Sequence, residues 1–137
     1  MMYFIKEKVK MEKIKKYFEF SNTISGMTYL LRNLLGYFVG FAGGYIVGYG
    51  LVNQIMGLTT LGFVITAPVL WFTFTTVYKR VNALFPKDAT LVTVGIIFAQ
   101  VVSQLTQDSV GPILSLSLLI MGLILIFKNS GIANHEG

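Results

Sequence analysis

The sequence predicts an all-α membrane protein with four transmembrane helices, an N-terminal basic amphipathic helix at the membrane interface and both termini in the cytoplasm. Of its 137 residues, 54% are hydrophobic and 12% are charged, whereas about 25% of the residues in a soluble domain are charged. This composition excludes a water-soluble globular domain. It also excludes a disordered chain, which combines low hydrophobicity with high charge. Long uncharged segments and a one-sided distribution of basic residues then give the number and the orientation of the spans.

A basic segment, residues 1–26, precedes the predicted spans. It contains six lysines, and its apolar residues recur at helical spacing in two groups, Ile14, Tyr17 and Phe18, and Ile5 and Val9. This pattern is typical of a helix that lies on a membrane and binds anionic headgroups. A docking site for an acidic partner is the alternative interpretation. No short apolar region with a cleavage site follows, so we expect this segment to be retained.

An uncharged stretch of 46 residues, 33–78, contains the first two spans. As one helix it would be about 69 Å long, more than twice the thickness of a hydrocarbon core of about 30 Å. The chain must therefore turn back once. The adjacent polar residues Asn53 and Gln54 are the best place for this turn, which predicts spans at about 27–52 and 55–77.

Two further uncharged segments, each of 19 residues, predict the third and fourth spans at about 89–105 and 110–127. Each segment is near the minimum length for crossing a bilayer as a helix. Asp88 precedes the third span, where its carboxylate is suited to cap a helix N-terminus. The transmembrane domain is thus predicted to cover residues 27–137.

With four spans, all eleven Lys and Arg residues fall on one side of the membrane. That side holds both termini and the loop between the second and third spans, and Arg32 lies near the same end of the first span. The loops on the other side contain no Lys or Arg. Because basic loops stay in the cytoplasm, both termini are expected there. Membrane lipid with anionic headgroups is a simpler partner for this basic face than nucleic acid, and we expect no nucleic-acid binding.

Four glycines recur every four residues in the first span: Gly36, Gly40, Gly44 and Gly48. Glycine costs about 1 kcal/mol in a helix relative to alanine, so this density needs a reason. In membranes, glycines at this spacing let two helix backbones approach closely. The partner is either another span of the same chain, or a second copy or another membrane protein. Replacement of Gly44 by Leu is expected to disrupt folding or assembly.

No acidic or basic residue lies in the middle of a predicted span, which argues against a proton-coupled transporter because such proteins usually need an intramembrane carboxylate. The third span carries Gln100, Ser103 and Gln104 on one face. These polar side chains either form hydrogen bonds between helices or line a polar pathway.

No catalytic, cofactor-binding or metal-binding residues are predicted. The chain has no cysteine, and its one histidine, His135, lies close to the C-terminus. We expect His135 to be a solvated tail residue. The sequence contains no nucleophile with an adjacent base, no phosphate-binding loop and no paired carboxylates, so we expect that the protein is not an enzyme.

Two segments at the predicted cytoplasmic face, "KKYFEFSNTISGMTYL" and "VYKRVNALFPKD", resemble domain-of-unknown-function family 805, a group of small bacterial inner-membrane proteins. The first is similar to the stretch before that family's first span, although the family's two arginines are replaced. The second is similar to the basic loop after the second span, with Asn82 and Ala83 in place of a His-Asp pair. The resemblance implies a four-span bundle of bacterial or phage origin, and no reaction.

We expect the segment "FSNTIS" to fold back and contact Lys79, Arg80 and Asn82. The residues of this cytoplasmic-face motif are Phe20, Ser21, Ser25, Arg32, Lys79, Arg80 and Asn82. Two function hypotheses remain. The first is a non-enzymatic scaffold or accessory subunit that assembles through the glycine-rich first span. The alternative is a small oligomeric channel or a phage holin-like pore former.

Overall fold

The structure is a computed structural model that describes residues 1–19, 22–106, 108–132 and 135. Its regular elements are helices, and no strand occurs in the described part, so the all-α prediction is confirmed. The helices are α1 (Met2–Lys16), α2 (Gly26–Val52), α3 (Met56–Leu84), α4 (Ala89–Leu105) and α5 (Val110–Phe127). By length and composition, α2, α3 and α5 are long and apolar enough to cross a membrane, and α4 is a shorter apolar helix.

The predicted span boundaries agree with α2, α4 and α5 to within one residue. The third helix is the exception, because α3 continues to Leu84 instead of ending at residue 77. The prediction ended the span at the first charged residue. Lys79 and Arg80 nevertheless continue the helix, and both side chains are buried by protein. Hydropathy therefore marked the end of the apolar segment and not the end of the helix.

The described chain forms two compact units. One unit, called unit 1 here, comprises Met1–Ser21 and Arg32–Thr75, and unit 2 comprises Asn22–Leu31 and Thr76–Gly137. The N-terminal segment contributes to both units.

Unit 1 contains a helical hairpin that turns at the predicted place. Gln54 adopts a positive φ of 56°, and the Ile55 amide donates to the Gly50 carbonyl over 2.8 Å. The side-chain amide of Asn53 donates to the Tyr49 carbonyl over 2.9 Å, which closes the last turn of α2. Adjacent polar residues thus satisfy the backbone groups left open where a helix ends.

The first helix of unit 1, α1, has no buried residue. It is a basic helix, as expected, but the predicted amphipathic face is wrong. Ile5 and Ile14 are nine residues apart, which is two and a half helical turns, so they lie on opposite sides. Tyr17 and Phe18 follow the helix end at Lys16. Spacing within each group was helical, but the two groups do not share a face.

Unit 2 has a small core formed by residues from its helices and from the segment before α2. The antiparallel pair α4 and α5 contributes Ala89, from the first turn of α4, and Leu125, from the last turn of α5. The core residues are Ile24, Tyr29, Val77, Val81, Ala89, Ile96 and Leu125. This core surrounds the end of α3, where the buried basic residues lie.

Candidate functional site

The most buried charged cluster of the described chain is centred on Arg80, in unit 2. The Arg80 side chain is 2% exposed. Its Nη1 donates to the Ile24 carbonyl over 3.1 Å, its Nη2 donates to the Lys128 carbonyl over 2.5 Å, and its Nε donates to the Leu125 carbonyl. The last carbonyls of a helix have no partner within that helix. Arg80 therefore caps the end of α5 and fixes the segment before α2.

The segment before α2 makes the contacts expected for it with Arg80 and Asn82. The side-chain amide of Asn82 donates to the Asn22 carbonyl over 3.3 Å. Ser25 caps α2, because its Oγ accepts the Thr28 amide over 3.2 Å, as an N-cap serine does. Lys79 is fully buried. Phe20 and Ser21 lie outside the described residues.

Arg32 belongs to the other unit. Its guanidinium carbon lies 4.6 Å from the centre of the Tyr17 ring, in a cation–π arrangement. The Trp71 indole donates to the Phe18 carbonyl over 2.8 Å. Thr75 donates to the Tyr17 carbonyl over the same distance. The chain after α1 is thus anchored to α3 within unit 1. The residues of the predicted cytoplasmic-face motif are divided between the two units.

His135 is not a solvated tail residue, so that expectation is wrong. Its Nδ1 lies 3.0 Å from the Thr23 hydroxyl, and its Nε2 lies 3.0 Å from the Ser130 hydroxyl. The tail turns back at Gly131, which has a φ of +71°, a conformation that glycine adopts without steric cost. Both ring nitrogens are therefore engaged, and the C-terminal tail is tied to the segment before α2.

The close contact between α2 and α3 in unit 1 uses glycines outside the predicted series. A Cβ added to Gly43 would lie 2.6 Å from the Thr66 hydroxyl, and one added to Gly50 would lie 2.6 Å from the Thr59 amide nitrogen. On α3, a Cβ on Gly62 would lie 2.7 Å from the Val47 amide nitrogen. Because a side chain does not fit at these distances, Gly43, Gly50 and Gly62 permit the approach of the backbones.

The four glycines of the predicted series have more room, and we call them the glycine face. A Cβ added to Gly36 or Gly40 would make ordinary contacts of 3.4 Å with Thr73 and 3.5 Å with Val69. An added Cβ at Gly44 or Gly48 would meet no atom within 4 Å. The glycine face is therefore not required for packing within the chain, and Gly44 and Gly48 are open.

The polar residues of the apolar helices fall into two groups. The threonines of α3 bond to their own helix, with Thr60, Thr66 and Thr73 donating to carbonyls four residues earlier. On α4, Ser103 donates to the Gln100 carbonyl over 2.8 Å. Gln100 and Gln104 are exposed, and their carboxamides have no hydrogen-bond partner in the described part of the chain. The threonines thus need no further partner, whereas the two glutamines do.

No family model matches this chain, and no curated protein or solved structure matches it. Within the ranges that the structure describes, no three His, Cys, Asp or Glu side chains lie close enough together to hold a metal ion. The features available for function are therefore the open glycine face of α2, the exposed carboxamides of α4 and the buried arginine.

Proposed function

We propose that the protein is a non-enzymatic membrane scaffold or accessory subunit that self-assembles through the glycine face of α2. The supporting observation is the open space at Gly44 and Gly48, where an added Cβ meets no atom within 4 Å. Each glycine costs about 1 kcal/mol of helix stability relative to alanine, and packing within the chain does not account for these two. A second helix that approaches its backbone closely does account for them.

The surroundings of the glycine face support a partner helix. Next to Gly36 and Gly40, a groove of about 670 Å³ runs between α2 and α3 and has apolar walls that include Phe41 and Leu70. Phe41 is 79% exposed, so a large aromatic side chain stands beside the glycines. Large side chains next to open glycines are suited to interlock with a second helix of the same kind.

The hydroxyls of the tyrosines that alternate with these glycines also lack partners in the described part of the chain. Tyr37, Tyr45 and Tyr49 are exposed by 72%, 67% and 51%. No hydrogen bond is made by their hydroxyls among the described residues. A hydroxyl in hydrocarbon is stabilised by a protein partner because lipid tails offer none. A second copy of the chain would supply hydrogen-bond donors and acceptors to these hydroxyls through its own tyrosines.

Four spans in a bacterial inner membrane are part of the proposal. The 17 residues of α4 run antiparallel to the 18 residues of α5, which is long and apolar enough to cross a membrane. We therefore expect α4 to cross the bilayer beside α5. The length of α4, about 25 Å, falls short of a hydrocarbon core of about 30 Å. Local thinning of the bilayer absorbs a mismatch of this size. The resemblance to family 805 favours the bacterial inner membrane.

Topology can be measured with a reporter enzyme that is active only outside the cytoplasm. The reporter is expected to be inactive after Gly137 and active when it is inserted after Asn53. Both results follow from four spans with all basic loops inside. If α4 does not cross, the C-terminus lies on the opposite side from the N-terminus. An active reporter after Gly137 would therefore contradict the span count if the reporter after Asn53 is also active, and the orientation if the reporter after Asn53 is inactive.

The self-assembly proposal is tested by Gly44→Leu. This change is expected to abolish oligomers in mild detergent without lowering the melting temperature of the monomer, since an added Cβ meets no atom within 4 Å. Gly57→Leu is the matched control, because Gly57 on α3 is also open but does not belong to the glycine face. Size-exclusion chromatography with light scattering gives the mass. Unchanged oligomers in Gly44→Leu would rule out this interface.

A channel or holin-like pore is the second candidate function, favoured by the exposed carboxamides of Gln100 and Gln104 on α4. A pore formed by several copies would turn these groups towards water. Purified protein in liposomes that hold a self-quenched dye distinguishes the candidates. Release that rises steeply with protein density supports the pore, whereas retained dye at every density supports the scaffold.

A further inference from the structure

One face of α4 loses its protein cover in the last two turns. Ala89, Thr93 and Ile96 are buried in unit 2, and their spacing of four and three residues places them on one face. Gln100 follows Ile96 by four residues and Thr93 by seven, so it continues this face. Gln100 is nevertheless exposed, so the described residues of unit 2 do not cover it. The face that is covered in the first half of α4 is thus open in the second half.

The open half of this face carries unsatisfied hydrogen-bonding groups. Gln100 and Gln104 have no side-chain partner in the described residues, and each carboxamide can donate two hydrogen bonds and accept two. Farther along the face, the Thr93 hydroxyl is buried and also has no partner. Thr93 and Gln100 are separated by about 10 Å along the helix, too far to satisfy each other.

The depth of these groups in the bilayer makes a partner necessary. This step rests on the proposed membrane-embedded position of α4. Gln100 is three residues beyond the midpoint of α4, which places it about 5 Å from the centre of the bilayer. Lipid tails offer neither donors nor acceptors there. The Gln100 carboxamide therefore cannot be satisfied by lipid in a single copy, and Gln104 continues the same face towards the end of α4.

We infer that Gln100 and Gln104 form a second self-association contact, in which the α4 helices of two copies pair carboxamide to carboxamide. A carboxamide both donates and accepts, so it is complementary to an identical group. A two-fold axis brings the same surface of two copies together and therefore pairs such groups naturally. Because α4 contains no Asp, Glu, Lys, Arg or His, it offers nothing to a charged partner. A second copy of this chain fits this surface best.

Removal of the carboxamides tests the energy of this contact. The double variant Gln100→Leu/Gln104→Leu keeps the approximate size of both side chains. It is expected to weaken self-association about tenfold, the combined effect of two interhelical hydrogen bonds in a membrane. The measurement is energy transfer between labelled copies of the full chain in vesicles. Leu substitution of Val94 and Val101, which are also exposed, is the control and leaves association unchanged.

Cysteine cross-linking tests the geometry, and the absence of native cysteines makes it direct. Gln100→Cys in membrane vesicles is expected to give a disulfide-linked dimer on mild oxidation. Phe98→Cys is the matched control, since Phe98 is 68% exposed but lies two residues away, on the opposite side of the helix. Equal cross-linking at the two positions would overturn the inference. Rapid reaction of Gln100→Cys with a charged, water-soluble thiol reagent would also overturn it, because the face would then line water.

The two proposed interfaces, through the glycine face of α2 and through Gln100 and Gln104 of α4, are distinguished by repeating the cross-linking in the Gly44→Leu variant. A dimer that still forms through Gln100→Cys supports the α4 contact, whatever the fate of the glycine face. Loss of that dimer in the Gly44→Leu background would overturn the α4 contact as an independent interface. The proposed assembly through α2 is tested separately by the oligomer mass of the single Gly44→Leu variant. The two proposals can therefore fail independently.

Discussion

Replacement of Arg80 by Met is expected to lower the free energy of unfolding by about 3–5 kcal/mol. The guanidinium donates to the carbonyls of Ile24, Leu125 and Lys128, and Met leaves all three without this donor. Hydrogen bonds to a charged group contribute about 1.5–3 kcal/mol each. The desolvation of a charge in a site that is only 2% exposed offsets part of the total. The net loss is still larger than that of a typical substitution.

The measurement is the unfolding of the purified protein in detergent, followed by the loss of helical circular dichroism. Lys87→Met is the matched control, because it removes the same charge from an exposed position and is expected to change stability by less than about 0.5 kcal/mol. Arg80→Lys should restore little, since an ammonium lacks the planar fork that reaches several carbonyls at once. Equal stability of Arg80→Met and Lys87→Met would show that the three hydrogen bonds contribute nothing.

Replacement of Gly50 by Leu is expected to lower the free energy of unfolding by about 3 kcal/mol. An added Cβ would lie 2.6 Å from the Thr59 amide nitrogen and 3.1 Å from its Cα. Both are backbone atoms, so relief requires that α2 and α3 move apart. Overpacking of this kind costs about 1–3 kcal/mol and occasionally more, and the side chain of Leu extends well beyond its Cβ.

Gly48→Leu is the control for Gly50→Leu in the same helix. Gly48 lies two residues before Gly50, and an added Cβ there meets no atom within 4 Å. The stability of the monomer should therefore not fall in Gly48→Leu. Both variants are compared at a detergent-to-protein ratio at which the protein is monomeric. Equal destabilisation by the two variants would contradict the assignment of Gly50 to folding and Gly48 to assembly.

The limits of the helices were largely predictable because they coincide with simple chemical boundaries. Charged or polar residues at Asn53, Asp88 and Asp108 interrupt the apolar sequence, and the chain turns at each of these positions. The end of α3 was not predictable by this criterion. Lys79 and Arg80 are charged but buried, and only the folded unit 2 supplies the carbonyls that Arg80 satisfies.

The site residues were partly predictable. The contact of the segment before α2 with Arg80 and Asn82 was expected from the sequence, and the structure has hydrogen bonds to both residues. The glycines that pack α2 against α3 were missed because a series with a spacing of four, at Gly36 and Gly40, dominated the sequence. Gly43 and Gly50 are seven residues apart, a spacing that keeps one face of a helix against its neighbour. Which glycine face is covered depends on the neighbouring helix and not on the spacing alone.

The contact of His135 was not predictable from the sequence. His135 lies 112 residues from its partner Thr23, and a histidine near a chain end carries no local pattern that indicates such a contact. In α1, the helical spacing within each apolar group was real, but Ile5 and Ile14 lie on opposite sides, and Tyr17 and Phe18 follow the helix end.

The position of Arg80 also dictates an order of events during synthesis. Its partner Ile24 is 56 residues earlier in the chain and its partner Leu125 is 45 residues later. Every part of unit 1 has left the ribosome once Thr75 has emerged, so that unit can close early. Unit 2 must hold its first segment, Asn22–Leu31, without its final contacts until α5 has been inserted. Helix α5 therefore completes a structure that the first segments began, and a ribosome that stalls before α5 leaves Arg80 without two of its three acceptors.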